Sequence, residues 1–333
     1  MTASTLETPL VIASQLDAAA NDVLRARLAA DPFPGAAAAR VVALPPATVP
    51  HDLPPEAQVL IARPNYKLLQ EPPPADWPRG LKWVQLVGIG LDGYPRWLLD
   101  RVPVGVARGT SSNVIAEYVI ATVFAAAKSL PDLWIRDAAH WKLSATGSVV
   151  GSTLGLYGWG GIGQAVARRA LALGQHVRVL RRSDTPLTLD GSEPPGISRA
   201  TSLEDLLATS DHLLLAAPAT ADTRHVINAD SLRHAKPGLH LINVARGSLV
   251  DQDALIQALD EGRLSRASLD VTTPEPLPAG HPLYTHPRVF LTPHTSAISP
   301  ETEQGVIDLF LRNAARFVRG EAPEHVLDPQ RGY

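Results

Sequence analysis

The run Gly158-Trp159-Gly160-Gly161-Ile162-Gly163 follows an apolar stretch at 154–157 and opens a helical pattern over 164–173. A second apolar run occupies 176–180. Strand, glycine turn, helix and strand at this spacing form a β-α-β unit, which commits the chain to an α/β sheet with parallel strands. The first glycine permits the tight turn, the second lets backbone approach a pyrophosphate, and the third lets helix pack on strand. N–H groups at the helix start then receive the phosphate charge. A dinucleotide site on Gly158, Gly160, Gly161, Ile162 and Gly163 is the expectation.

The second strand ends in Arg181-Arg182-Ser183, about 20 residues beyond Gly158, where an acidic residue is usual. A carboxylate there would bind the ribose hydroxyls of NAD, whereas arginine pairs with a 2′-phosphate. NADP(H) is therefore predicted as the preferred cofactor, with NAD(H) as the alternative. A solvated basic loop is the plainer reading of the same residues.

Composition narrows the function class. At 333 residues, 45% hydrophobic and 19% charged, the chain has enough apolar material for two cores. A net charge of −3 offers no general attraction to nucleic acid or to anionic membranes. With no cysteine, disulfides, thiolate catalysis and sulfur-ligated metals are excluded, and no metal site is expected. Residues 1–8 carry acidic Glu7 and no basic-then-apolar signal, so a cytoplasmic protein is the expectation.

Short apolar runs at 10–13, 40–44, 59–62, 82–87 and 102–107 read as parallel strands, with prolines at 45–46, 54–55 and 72–74 punctuating the loops. A helix is predicted over 111–129 after a serine N-cap, with Ile115, Val119 and Phe124 on its apolar face. Beyond the glycine turn, strands are predicted at 211–216, 239–244, 267–271 and 289–291, alternating with helices near 202–209 and 252–261. Ser299-Pro300-Glu301 starts a last helix running to Val318 before Gly320, expected to pack back on the first domain.

Three segments at strand ends carry ionisable residues: Asn243 to Gly247 with Arg246, Leu269 to Pro276 with Asp270 and Glu275, and Leu291 to Thr295 with His294. Open α/β sheets bind ligands at that edge, so an arginine, a carboxylate and a histidine can converge on one crevice. With these segments, and with 81–92 (LKWVQLVGIGLD), 113–118 (NVIAEY) and 210–223 around Pro218, the chain resembles the D-isomer-specific 2-hydroxyacid dehydrogenases, in particular the glyoxylate/hydroxypyruvate reductase branch.

The resemblance implies two doubly wound domains. A Rossmann dinucleotide-binding domain, 108–296, would be inserted in a flavodoxin-like substrate domain formed by 1–107 and 297–333. It implies reduction of a small 2-oxo acid to the D-2-hydroxy acid, with His294 as the acid, Glu275 holding it charged and Arg246 gripping the substrate carboxylate. Backbone N–H groups of Val87 and Gly88 would complete the carboxylate site, Asp270 would accept from the nicotinamide carboxamide, and Pro218 and Thr223 would line the cofactor. A homodimer is implied, with the helix at 115–130 as a candidate contact and Trp141 where relatives send a loop toward the partner. One departure bears on the pocket floor: Thr272-Thr273-Pro274 stands where an aromatic commonly follows the Asp270-Val271 pair. Alternatives are NAD-dependent oxidation of D-3-phosphoglycerate or D-lactate, and a dinucleotide-sensing corepressor-like protein. The former would favour a more basic pocket and a regulatory domain, which is not expected here.

Overall fold

The structure, a computed structural model, describes residues 9–45 and 53–328. The N-terminal octet, on which the reading of no targeting signal rests, lies outside the described residues, as does Pro46. Two compact units divide the chain: Met1–Thr110 with Ser299–Tyr333, and Ser111–Ile298.

In the first unit, β1 (Val11–Ser14), β2 (Arg40–Ala43), β3 (Val59–Ala62), β4 (Trp83–Leu86) and β5 (Val104–Gly105) form a parallel sheet in the order β2-β1-β3-β4-β5 among the described residues. The inner strands are apolar without alternation because both faces are covered. Ile12, Val59 and Ile61 point into one core, and Val11, Ala13, Leu60 and Ala62 into the other. The helix Pro300–Val318 supplies Ile307, Phe310, Leu311, Ala314 and Val318 to the first of these, and Phe310 stacks on Trp83 at 5.3 Å. β5 is much shorter than its apolar run. Pro103 has no N–H to donate, and Ala107 leaves the sheet to donate to the Gly88 carbonyl at 3.0 Å.

The second unit contains, among the described residues, a seven-stranded parallel sheet of β6 (Thr153–Tyr157), β7 (His176–Leu180), β8 (Ile197–Arg199), β9 (His212–Leu215), β10 (Leu239–Asn243), β11 (Leu264–Leu269) and β12 (Val289–Leu291). Their order is β12-β11-β10-β9-β6-β7-β8, so the chain winds outward from β6 to β8 and then restarts at β9 in the opposite direction. The switch point between β6 and β9 is where such sheets open a crevice.

Local details differ from expectation in four places. β8 is a half-exposed edge strand of three residues whose polar Ser198 and Arg199 hide it from an apolar-run search. β11 starts three residues before its apolar run, because it pairs with β10 already at Leu264 and Arg266, with a register shift at Ser265 between them. The helix Gly161–Ala172 begins inside the glycine run, so those glycines form its first turn. The helix Ser112–Lys128 is flanked by Ser111, which makes no side-chain capping bond. No helix among the described residues is long and apolar enough to cross a membrane.

Candidate active site

At the switch point, Gly158 adopts a left-handed φ of 117°, and a Cβ there would meet the Ala216 carbonyl oxygen at 2.8 Å. The ends of β6 and β9 therefore touch, a packing open to glycine only. A Cβ on Gly163 would strike the Gly158 carbonyl oxygen at 2.5 Å, and one on Gly161 the Ser112 hydroxyl at 2.6 Å. Gly160 differs: a Cβ there meets nothing within 4 Å. That open position is the N-cap of the Gly161–Ala172 helix, where backbone N–H groups can receive a pyrophosphate. The residues present thus fit a dinucleotide. Beyond β9, the Thr223 hydroxyl donates to the Pro218 carbonyl at 2.8 Å and accepts from the Thr220 N–H, so it braces the Pro218–Thr223 turn from within.

β10, β11 and β12 are neighbours in the sheet, and the three polar segments leave their carboxyl ends side by side. The hydrogen-bond ladder runs on past the strands: Asp270 N–H donates to the Asn243 carbonyl at 3.0 Å, and His294 N–H to the Asp270 carbonyl at 2.8 Å. This fixes the register of the three loops.

Each loop then has its own brace. The buried Asn243 amide accepts from Ala245 N–H at 3.0 Å and donates to the Arg246 carbonyl at 2.9 Å, setting the turn from which the half-buried Arg246 side chain departs. The Gln252 amide takes the Thr273 peptide from both sides, donating at 2.8 Å and accepting at 3.0 Å. Asp270, 1% exposed, accepts from the Thr292 hydroxyl and Thr295 N–H on Oδ1 and from Ser296 N–H on Oδ2. The Thr292 hydroxyl also meets the Tyr118 hydroxyl at 2.7 Å. These bonds hold His294 at a φ of 51°, a left-handed conformation that a residue with a Cβ occupies only when its surroundings impose it.

His294 Nδ1 lies 2.8 Å from Glu275 Oε2, while Glu275 Oε1 accepts from Thr272 N–H at 2.9 Å. The hydrogen bond to Glu275 raises the His294 pKa above its usual 6.5; burial opposes the rise, and the charges of Glu275 and Asp270 add to it while that of Arg246 subtracts. Burial pushes the Glu275 carboxyl up, but hydrogen bonds from His294 and Thr272 N–H, with the His294 and Arg246 charges, bring it below its usual range. Arg246 is thus close enough to act on both. The sequence assigns no role to Asn243, Gln252, Thr292 or Tyr118. An asparagine closing a strand before a turn was the only available signal among them.

In the first unit, the Val87 N–H donates to the Ala62 carbonyl at 3.2 Å, so it is spent on the β3–β4 ladder.

A family model described as "D-isomer specific 2-hydroxyacid dehydrogenase, NAD binding domain" matches residues 120–296, more than half the chain. The chain belongs to the D-isomer-specific 2-hydroxyacid dehydrogenases. Within that family it is 32% identical over 295 residues to glyoxylate/hydroxypyruvate reductase A of Serratia proteamaculans, covering 85% of this chain and 90% of that protein. It is 35% identical over 232 residues to a glyoxylate reductase of Korarchaeum cryptofilum, covering 67% and 68% respectively. A D-isomer specific 2-hydroxyacid dehydrogenase of Xanthobacter autotrophicus, crystallised with NADPH and MES, superposes with a TM-score of 0.77 at 28% identity, over 98% of this chain and 100% of that one. This dehydrogenase is accordingly an oxidoreductase that uses a nicotinamide dinucleotide, built on the two-unit α/β fold of its family.

Proposed function

We propose that this dehydrogenase reduces a small 2-oxo acid, of the glyoxylate or hydroxypyruvate type, to the D-2-hydroxy acid with NADPH. The observation that carries the reading is the Glu275-held imidazole of His294 beside Arg246, at the carboxyl ends of three adjacent strands. The reductases similar to this chain support the substrate class.

The bound nicotinamide supplies the hydride. The protein's own residues do the rest. His294, charged, gives its Nε2 proton to the carbonyl oxygen as electron density arrives there, while Glu275 on Nδ1 keeps the ring oriented and protonated. Arg246 pairs with the substrate carboxylate through its planar fork and stabilises the developing alkoxide. Gly88 stays a candidate carboxylate donor on its resemblance alone. Gly158, Gly160, Gly161, Ile162 and Gly163 cradle the pyrophosphate, and Asp270 retains acceptor capacity on Oδ2 for a carboxamide. Arg181, Arg182 and Ser183, leaving β7, take the 2′-phosphate.

Purified enzyme should consume NADPH with glyoxylate or hydroxypyruvate and more slowly with bulkier 2-oxo acids. No consumption with any 2-oxo acid would sink the proposal. Changing His294→Gln should abolish turnover yet leave dinucleotide binding intact, whereas Arg181→Ala with Arg182→Ala should weaken NADPH relative to NADH. A homodimer and a cytoplasmic location belong to the same reading. The apolar face of the Ser112–Lys128 helix is largely spent on its own core through Ile115, Ala116, Val119 and Val123. Support for a partner comes instead from the segment after it, where Trp141 is 78% and Leu143 95% exposed. Mass in solution tests this.

A further inference from the structure

The loop that leaves β7 with Arg181, Arg182 and Ser183 is tied down by a residue outside it. Arg199, the last residue of the edge strand β8, pairs in register with Val179 of β7. Its guanidinium reaches the loop with two donors, Nη1 to the Ser183 carbonyl at 2.9 Å and Nη2 to the Thr185 carbonyl at 2.7 Å. The Ser183 and Thr185 hydroxyls meet at 3.0 Å, which closes the loop on itself. The exposed Asp184 carboxylate stands 3.9 Å from the guanidinium, so most of Arg199's bonding goes to backbone.

We propose that Arg199 is a positioning residue for dinucleotide selectivity: it holds the loop in the form that accepts a 2′-phosphorylated ribose and refuses to favour an unmodified one. This rests on the NADPH reading above. The physical argument concerns the two carbonyl oxygens. A peptide carbonyl accepts from a ribose hydroxyl but repels a phosphate oxygen, since both carry negative charge. By drawing the Ser183 and Thr185 carbonyls onto itself, Arg199 takes two acceptors away from the surface on which Arg181 and Arg182 operate. Its planar fork suits that task, because two donors at fixed separation define the loop's geometry as one could not. The cation also adds positive potential to a loop that carries the half-buried Arg181 and the exposed Arg182. Release of the clamp exposes the carbonyls, which costs the phosphorylated ligand and leaves the hydroxyl-bearing one as well held as before.

The test measures dissociation constants of NADPH and NADH, by fluorescence of the reduced nicotinamide, for wild type, Arg199→Ala, Arg199→Lys and the Arg181→Ala/Arg182→Ala pair. Binding of 2′-AMP against 5′-AMP, followed by thermal shift, reads the same subsite without any turnover. Arg199→Ala should weaken NADPH about tenfold, because the loop must then be ordered at the moment of binding, and change NADH less than about twofold. Arg199→Lys, with one point donor, should recover only part of the loss. In the Arg181→Ala/Arg182→Ala background, Arg199→Ala should shift selectivity little further, because the clamp then has nothing to present. Equal loss of both dinucleotides, or none, in a wild type that prefers NADPH overturns the inference alone. A wild type that binds NADH as tightly as NADPH overturns the cofactor reading first, and the inference with it.

Discussion

Alanine at Gly247 should dismantle the active site without touching any reacting group. The residue follows Arg246, and its α-carbon lies against the backbone of Thr272, which leads into Glu275. A Cβ built there falls 2.0 Å from the Thr272 carbonyl carbon, 2.1 Å from its oxygen and 2.6 Å from its Cα. Ordinary contact begins near 3.4 Å, so the two loops must part by at least about 1.4 Å. All three obstructing atoms are backbone, and that backbone is held by Gln252 and by the Glu275 carboxylate, so no side chain can swing aside. Overpacking of this kind costs about 1–3 kcal/mol of stability. A displacement near 1 Å between groups that act together costs on the order of 100-fold in rate. Gly247→Ala should therefore lower kcat/KM by about 100-fold or more while the circular dichroism spectrum stays native and the melting point falls by several degrees. A variant that retains wild-type kcat/KM would refute the claim that the Arg246 and Glu275 loops are set by direct backbone contact.

Further outcomes follow from the same geometry. Glu275→Gln removes the charge that raises His294; reduction needs the protonated ring, so the descending limb of its pH profile should move to lower pH. The raised value also contributes stability that is fully present below the unfolded pKa near 6.5 and is lost as pH rises through the folded pKa, and the variant should lack it. An unmoved limb would exclude Glu275 as the partner. Gly160→Ala, with open space around its Cβ, should leave the melting point of the ligand-free protein within about 1 kcal/mol equivalent yet weaken dinucleotide binding severely; undiminished binding would mean that no pyrophosphate approaches there. Gln252→Leu removes both bonds to the Thr273 peptide, and about a tenfold fall in kcat with little change in dinucleotide affinity is expected; Gln252→Glu, which keeps only the acceptor, should lie between.

What the sequence reveals of this fold is what depends on neighbours along the chain. Runs 59–62, 176–180 and 289–291 coincide with β3, β7 and β12, because continuous apolarity bounded by turn residues is a local property. β8 escaped because three half-exposed residues at a sheet edge need no apolar run. The site shows the same division. Arg246, Glu275 and His294 are legible as residue types at strand ends, but their adjacency follows from the order β12-β11-β10, which no local pattern encodes. Gln252 and Gly247 are invisible from sequence for a related reason: each matters through backbone some twenty residues away. Asp270 could be singled out as an acid, yet its three protein donors make it an anchor for the His294 loop, a part assigned by burial and not by charge.

The return of the chain through Pro300–Val318 sets an order on biosynthesis. Phe310, Ile307 and Leu311 complete the core around Trp83 and Ile12, but they leave the ribosome after the whole of Ser111–Ile298. At roughly 5–20 residues per second, those intervening residues, about 190, take on the order of ten to forty seconds. Throughout that interval the face of the β1–β4 sheet that carries Ile12 and Trp83 is covered only in part, by the helix Ala18–Ala29, and by its end the dinucleotide unit has every strand it needs. Nascent chains stalled at residue 298 should therefore show a protease-resistant 111–298 core and a degradable N-terminal segment. Protection of 1–110 at that length would mean that its sheet closes without the last helix.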